Sequence, residues 1–224
     1  MMIAPLGDSA VVITIGSGLD ETLLGRVHAI AANLERDPPP GVEDIVPAFG
    51  TITVFFDAAR VGKFAHLCAE LEQRVTRADA ASASGDARIV EVPVCYGREF
   101  GPDIGDVAAN GGIDLAQVIA LHSGGNYIVQ AIGFAPGFGY LGGLAEKLHT
   151  PRRATPRTLV PAGSVGIGGV LTAVYPFATP GGWNIIGRTP LKMFDPNCAD
   201  PAILRAGDHV RFRAITEEEF AAWK

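Results

Sequence analysis

Cysteine is scarce in this sequence of 224 residues: Cys68, Cys95 and Cys198 stand far apart, odd in number and without a CxxC pair. That spacing excludes a disulfide framework and offers no zinc site. Cys68 at a helical core spacing and Cys95 within a strand read as apolar filler. Long hydrophobic runs are lacking as well. Nothing approaches the roughly 18 apolar residues of a membrane span, and the start, MMIAPLGDSAVVITIG, has neither the basic residues nor the apolar core of a signal peptide, so the expected location is the cytoplasm. No GxxxxGK[ST] loop occurs, and the run Gly166-Ile167-Gly168-Gly169-Val170-Leu171 fails GxGxxG at its last position. The surroundings of Ser123 and Ser164 do not make GxSxG. HExxH is absent too, and His28 and His66, on helical stretches without acidic partners, read as structural. These absences predict no metal, mark no hydrolase nucleophile, and place any ATP site on, or completed by, another chain.

What is present is an ordinary globular composition, 48% hydrophobic and 19% charged, with an uneven charge distribution. Lys147 to Arg213 carries nine Lys or Arg against Asp195, Asp200 and Asp208, a net +6; the whole chain is -6, so the remainder is -12. The basic residues are dispersed and the pI is about 5.3, which argues against nucleic acid. A carboxylate ligand or an acidic partner face suits the positive segment; scattered solvated arginines are the plainer alternative.

Glycine is concentrated. From Gly133 to Gly187 the chain reads GFAPGFGYLGG, then TPRRATPRTLVPAGSVGIGG, then VYPFATPGGWNIIG, and holds 12 of the 28 glycines. A glycine in regular structure costs roughly 0.5–1 kcal/mol against alanine, so stability alone explains this density poorly. Among the glycines stand Tyr140, Arg152, Arg153, Arg157, Ser164, Thr172, Tyr175, Trp183, Asn184 and Arg188. Loops shaped by glycine and carrying polar and aromatic groups suit a binding surface; tight barrel corners are the bland reading.

Periodicity gives the organisation. Two short strands break at Gly7-Asp8, Asp20 caps a helix with Leu23, Leu24, Val27, Ile30, Ala31 and Leu34 on one face, and that helix stops before Pro38-Pro39-Pro40. Strands at Val42 to Val46 and Thr51 to Phe56 follow, then a helix carrying Phe64, Leu67, Cys68, Leu71 and Val75. The order ββαββα predicts a small α+β N-terminal domain, residues 1–80, with two helices on one face of a four-stranded antiparallel sheet. The small polar run ADAASASGD marks a linker at 81–87. From 88 to 224 the chain opens with a strand, Ile89 to Tyr96, whose Pro93 predicts an edge position. Two short helices, the second capped by Asp114, and many short strands separated by Gly and Pro then predict a β-barrel domain.

His122, at the end of the second short helix, reads either as an acid or base near neutral pH or as a charged cap on the helix C-terminus. Arg157 and Arg188 each leave a turn stiffened by proline, suited to bidentate capture of a carboxylate; pairing with Asp195 or a carbonyl inside the barrel is the alternative. Trp183 and Tyr140 can wall an apolar pocket or fill the core.

At these residues a resemblance emerges. GFAPGFGYLGGL, TPRRATPRTLVPAGSVGIGG, TPGGWNIIGRTPL and MFDP, with PVCYGREFGPD and the early GDSAVV, closely resemble the PxpB family, the B subunits of 5-oxoprolinase, which includes a sporulation histidine-kinase inhibitor (KipI) and allophanate hydrolase subunit 1 proteins. The resemblance implies a small α+β domain followed by a cyclophilin-like β-barrel. It also implies ATP-driven opening of the 5-oxoproline lactam to glutamate, in a complex with the C subunit, which is allophanate hydrolase subunit 2-like, and the A subunit of 5-oxoprolinase. At one position the chain departs from the pattern: Leu171 stands before Thr172 where the family stretch GIxGxQT carries Gln, removing a donor and an acceptor. Gly139 stands where proline is common. The resulting expectation is an enzyme component, inactive alone, with His122, Arg157 and Arg188 in catalytic roles and Tyr140, Thr172, Trp183 and Asn184 binding substrate. The alternatives are a module that docks on a histidine kinase, and a component of an allophanate hydrolase or urea carboxylase type enzyme.

Overall fold

The computed structural model describes residues 1–18, 20–80 and 88–223, so the linker expected at 81–87 lies outside the described residues. The chain divides into two compact units, Met1–Asp86 and Ala87–Lys224.

The first unit contains β1 (Met2–Leu6), β2 (Ala10–Thr14), α1 (Glu21–Arg36), β3 (Val42–Ala48), β4 (Thr51–Phe56) and α2 (Phe64–Ala80). Its strands form an antiparallel sheet in the order β1-β2-β4-β3. Alternation aims Val11, Ile13, Ile45, Ile52, Val54 and Phe56 at the helices, where Leu23, Val27, Ile30, Leu34, Leu67, Leu71 and Val75 complete one apolar cluster. The Asp20 carboxylate accepts from the Leu23 N–H at 2.8 Å, which sets the start of α1. Phe64 begins α2 rather than its buried face: it is 40% exposed and leans on Phe56, ring centroids 6.0 Å apart.

The second unit contains β5 (Ile89–Tyr96), α3 (Ile104–Gly111), α4 (Leu115–Ser123), β6 (Tyr127–Ile132), β7 (Gly139–Gly142), β8 (Arg157–Val160), β9 (Ser164–Gly168), β10 (Leu171–Val174), β11 (Thr179–Gly181), β12 (Asn184–Arg188), β13 (His209–Ala214) and α5 (Glu217–Ala221). A capping box opens α4: the Asp114 carboxylate accepts from the Gln117 N–H while the Gln117 amide oxygen accepts from the Asp114 N–H. Seven of the strands close a barrel in the order β10-β7-β6-β13-β5-β12-β9, with β9 pairing back onto β10; β8 and β11 form a separate ribbon. Closure places β5 between β12 and β13, which corrects the edge position expected from Pro93. The proline is tolerated because β5 pairs with β12 only at Cys95 and Tyr96. Val94 turns its carbonyl to the β13 side, accepting from Ile215, so the ring nitrogen of Pro93 faces the side where pairing with β12 has ended.

The barrel wall has two apolar faces. Val92, Val94, Tyr127, Val129, Leu141, Val165, Ile167, Val174, Ile186, Val210 and Phe212 fill the interior together with residues of α3 and α4. A second cluster of Phe138, Val160, Ala173, Tyr175, Trp183 and Ile185 lies on the opposite side of the wall, joined there by part of Tyr140 and Leu171. Along β9 and β10 the two sets alternate: Val165, Ile167 and Val174 turn inward, whereas Ala173 and, just beyond β10, Tyr175 turn outward. Gly168 in β9 is one reason the outer cluster fits, since a Cβ there would sit 2.6 Å from the Trp183 ring.

Candidate active site

The outer cluster floors a cleft of about 180 Å³ lined by Phe134, Phe138, Tyr140, Arg152, Arg153, Pro156, Tyr175, Gly181, Gly182 and Trp183. Every one of these residues belongs to the glycine-rich stretch from Gly133 to Gly187. Phe138 holds the floor together: its ring meets Trp183, Tyr175 and Tyr140 edge-on, at centroid distances of 5.7, 5.3 and 5.0 Å. Such T-shaped contacts add about 0.5–1.5 kcal/mol each beyond burial, so the aromatic walls are stiff. Phe134 forms the rim, 61% exposed and at φ 68°, a left-handed backbone that a non-glycine residue seldom takes. Burial pushes the Tyr175 phenol above its ordinary range.

Two cations meet the cleft. The Arg152 guanidinium sits 5.7 Å over the Trp183 ring, and among the described residues no carboxylate pairs with it. Arg153 donates from Nη1 to Asp103 Oδ1 at 2.8 Å, while its Nε is buried without an acceptor. An unmet buried donor costs about 1–3 kcal/mol. Asp103 is the organising group of this corner. Only 2% exposed, it takes both end nitrogens of Arg157 at 2.7 and 2.8 Å and accepts from the Ile185 N–H at 2.6 Å. It reaches that place because Gly101 lets the chain press against β12, where a Cβ would lie 2.0 Å from the Ile186 carbonyl oxygen.

The residues singled out from sequence separate. Tyr140 and Trp183 line the cleft. Asn184 lies next to it and is spent on structure, its amide donating to the Pro151 carbonyl at 2.8 Å and the Ile167 carbonyl at 3.3 Å. Arg157 does not line the cleft, and both of its end nitrogens are held by Asp103. Arg188 donates from Nε to the Ala162 carbonyl at 2.9 Å, so of the two partners in the alternative reading, Asp195 or a carbonyl, the carbonyl is the one it meets. Leu171 is partly buried and packs against the outer cluster.

His122 and Thr172 stand together on the inner side of the wall. Both are fully buried. The Thr172 hydroxyl donates to the Gly166 carbonyl at 3.0 Å, so it accepts from His122 Nε2 at 3.0 Å; Nδ1 is then left to accept the Tyr96 hydroxyl at 2.8 Å. Burial lowers the imidazole pKa to about 3, and the ring stays neutral near pH 7. The charged helix cap read from sequence is corrected accordingly: an imidazole kept neutral by burial supplies no cation to the end of α4. Burial also raises the pKa of Tyr96 and of Tyr127, whose hydroxyl donates to the His122 carbonyl at 2.8 Å.

Reasoning from sequence missed Asp103, Phe134 and Phe138, and it gave Arg152, Arg153 and Tyr175 no individual role. The phenylalanines had a signal in GFAPGFG, two aromatics spaced by glycines. Asp103 had none beyond a turn-forming Gly-Pro-Asp, because its partners lie 50 to 82 residues away.

The cleft does not fit a nucleoside triphosphate: it is smaller than the roughly 300–1,000 Å³ pockets of drug-sized ligands, and no phosphate loop borders it. Among the described residues no group of three or more His, Cys, Asp or Glu is placed to hold a metal ion, and no helix is long and apolar enough to cross a membrane.

Known proteins share this architecture. The chain is 45% identical to the 5-oxoprolinase B subunit of Bacillus subtilis (strain 168) over 99% of its own length and 96% of that protein. It is 44% identical to the 5-oxoprolinase B subunit of Escherichia coli O157:H7 over 92% of its length and 93% of the relative. Among solved structures, TTHA0988 superposes with a TM-score of 0.78 at 36% identity, over 96% of this chain, which spans only 40% of TTHA0988. The Kluyveromyces lactis urea amidolyase shares the fold, with a TM-score of 0.74 at 19% identity over 98% of this chain and 15% of that one. The family model of the carboxyltransferase domain, subdomain C and D, matches residues 1–204, and with relatives this similar along almost their whole length the chain belongs to that family, beside the B subunits of 5-oxoprolinase.

Proposed function

We propose that this chain is the B subunit of a multi-component, ATP-dependent 5-oxoprolinase that converts 5-oxo-L-proline, ATP and water to L-glutamate, ADP and phosphate. The observation that carries the reading is the likeness to 5-oxoprolinase B subunits from end to end. The cleft on the outer barrel wall supports it. Flat aromatic walls suit a five-membered lactam ring, and the cationic edge suits the carboxylate that ring bears.

In this reading the chain holds and orients the substrate, and the groups that activate the amide carbonyl come from a homologue of the C subunit and from the A subunit. His122 is neutral on the far side of the wall, and the cleft lining contains no side chain of nucleophile or base type other than the phenols of Tyr140 and Tyr175. Orientation is a contribution in its own right, since a substrate held in a reactive pose loses less freedom on the way to its transition state. The isolated chain is therefore expected to be inactive.

The test combines the purified chain with the A and C subunits, 5-oxo-L-proline and ATP, and follows glutamate. Glutamate is expected from the full mixture and not when this chain is omitted. Turnover by this chain alone, or a complex with a histidine kinase in place of the C subunit, would overturn the reading.

A further inference from the structure

Arg153 is an arginine only half used. Its Nη1 donates to Asp103 at 2.8 Å and lies 3.8 Å from Asp106 Oδ2. Nη1 is the terminal nitrogen on the Cδ side of the guanidinium, so Nε and Nη2 remain together on the other edge. That edge meets a carboxylate through two parallel hydrogen bonds. Nε is buried and meets no acceptor. Arg157 differs: both of its terminal nitrogens are committed to Asp103. The carboxylate that holds them is itself fixed by the Ile185 N–H, so the unused edge of Arg153 is anchored rather than free to swing.

Three further features converge on the same place. Arg153 lines the cleft together with Phe138, Tyr140, Tyr175 and Trp183. Arg152, stacked over Trp183 and without a carboxylate partner among the described residues, supplies a second positive charge. The space, about 180 Å³, accommodates one small ring and not a nucleotide.

We propose that the Nε–Nη2 edge of Arg153 is the carboxylate-binding element of the cleft, selecting a small planar-ring carboxylate, with Asp103 as the residue that positions it. The inference rests on the reading of this chain as a 5-oxoprolinase component and deepens it by naming the atoms that recognise the acid. The lactam ring lies against Trp183 and Tyr140, and the carboxylate supplies the acceptor that Arg153 Nε lacks.

The experiment uses the assembled complex. Arg153→Lys keeps the charge and removes the two-donor edge; the KM for 5-oxo-L-proline is expected to rise on the order of tenfold or more while kcat stays within about threefold. Arg152→Gln is expected to raise KM less. Asp103→Asn, close in size, is expected to raise KM with kcat preserved, a split that loss of fold would not produce. With the wild-type complex, 2-pyrrolidinone, the same ring without the acid, is expected to compete poorly. An unchanged KM in Arg153→Lys, or effective competition by 2-pyrrolidinone, overturns the inference while leaving the reading intact. A wild-type complex that makes no glutamate overturns the reading. Saturation-transfer NMR with 5-oxo-L-proline then decides the inference: signal on the wild-type complex lost in Arg153→Lys sustains it, and equal or absent signal overturns it.

Discussion

The two sides of the barrel wall treat polar side chains in opposite ways. Inside, Tyr96, His122 and Thr172 form a chain in which every donor meets an acceptor, ending on the Gly166 carbonyl. Outside, Arg152 has an aromatic ring for a neighbour, and Arg153 keeps a buried donor that meets nothing. The same strand serves both: in β10, Thr172 bonds within the interior and Ala173 belongs to the outer cluster. A completed network makes the packing unique, whereas an unmet donor beside a cleft is capacity reserved for a ligand. Residue type therefore ranks function poorly until satisfaction is known. His122 has the chemistry of a catalyst and the surroundings of a core residue, and Asp103, inconspicuous in sequence, holds both Arg153 and Arg157.

The contrast can be broken from either side. The largest effect is expected from Asp103→Ala, which strands two arginine side chains beside a buried gap; about 3–5 kcal/mol of stability should be lost, read from urea unfolding. A loss under about 1 kcal/mol would show that the outer corner holds itself without its carboxylate.

Acid probes the inner side. The unfolded chain carries a histidine of ordinary pKa, about 6.5, while folded His122 titrates at about 3. Between those values the unfolded state binds the extra proton, so stability is full above about pH 6.5 and falls as the pH drops, by up to about 1.4 kcal/mol per pH unit. Tyr96 and Tyr127, the titratable neighbours of the ring, have raised pKa values and stay neutral throughout. His122→Gln should flatten the curve between pH 6.5 and 5, and an unaltered slope would assign the effect elsewhere.

Gly168→Ala drives a methyl into the Trp183 ring and is expected to cost about 1–3 kcal/mol, with a shift in tryptophan fluorescence as the cleft wall moves. The smallest effect belongs to Arg188→Ala. Its single bond to the Ala162 carbonyl lies off the cleft, so stability should change by no more than about 1 kcal/mol and the KM of the complex not at all. A raised KM would bring Arg188 back into the binding machinery.

Much of the fold was legible because its cues are local. Asp20 and Asp114 cap helices using amides three residues away, and the apolar face of α1 follows the helical period. Pro93 misled for a physical reason: a missing N–H forbids pairing on one side only, and β5 has no partner on that side at that point. The cleft was half legible. Glycine density located the stretch that supplies all its lining, but not which of the arginines there face a ligand and which are already neutralised.

The order of the elements and the helix caps are properties of the sequence by itself, because each depends on residues within a few positions of one another, and the crowding of aromatic and cationic residues between Gly133 and Gly187 is read directly from composition. Only tertiary structure decided that Thr172 looks into the barrel and Ala173 out, and that Asp103 takes Arg157 fully and Arg153 in part. Alternation along a strand creates two faces without saying which is the lumen until the sheet closes. Charge pairing likewise depends on distance through space, which spacing along the chain does not encode.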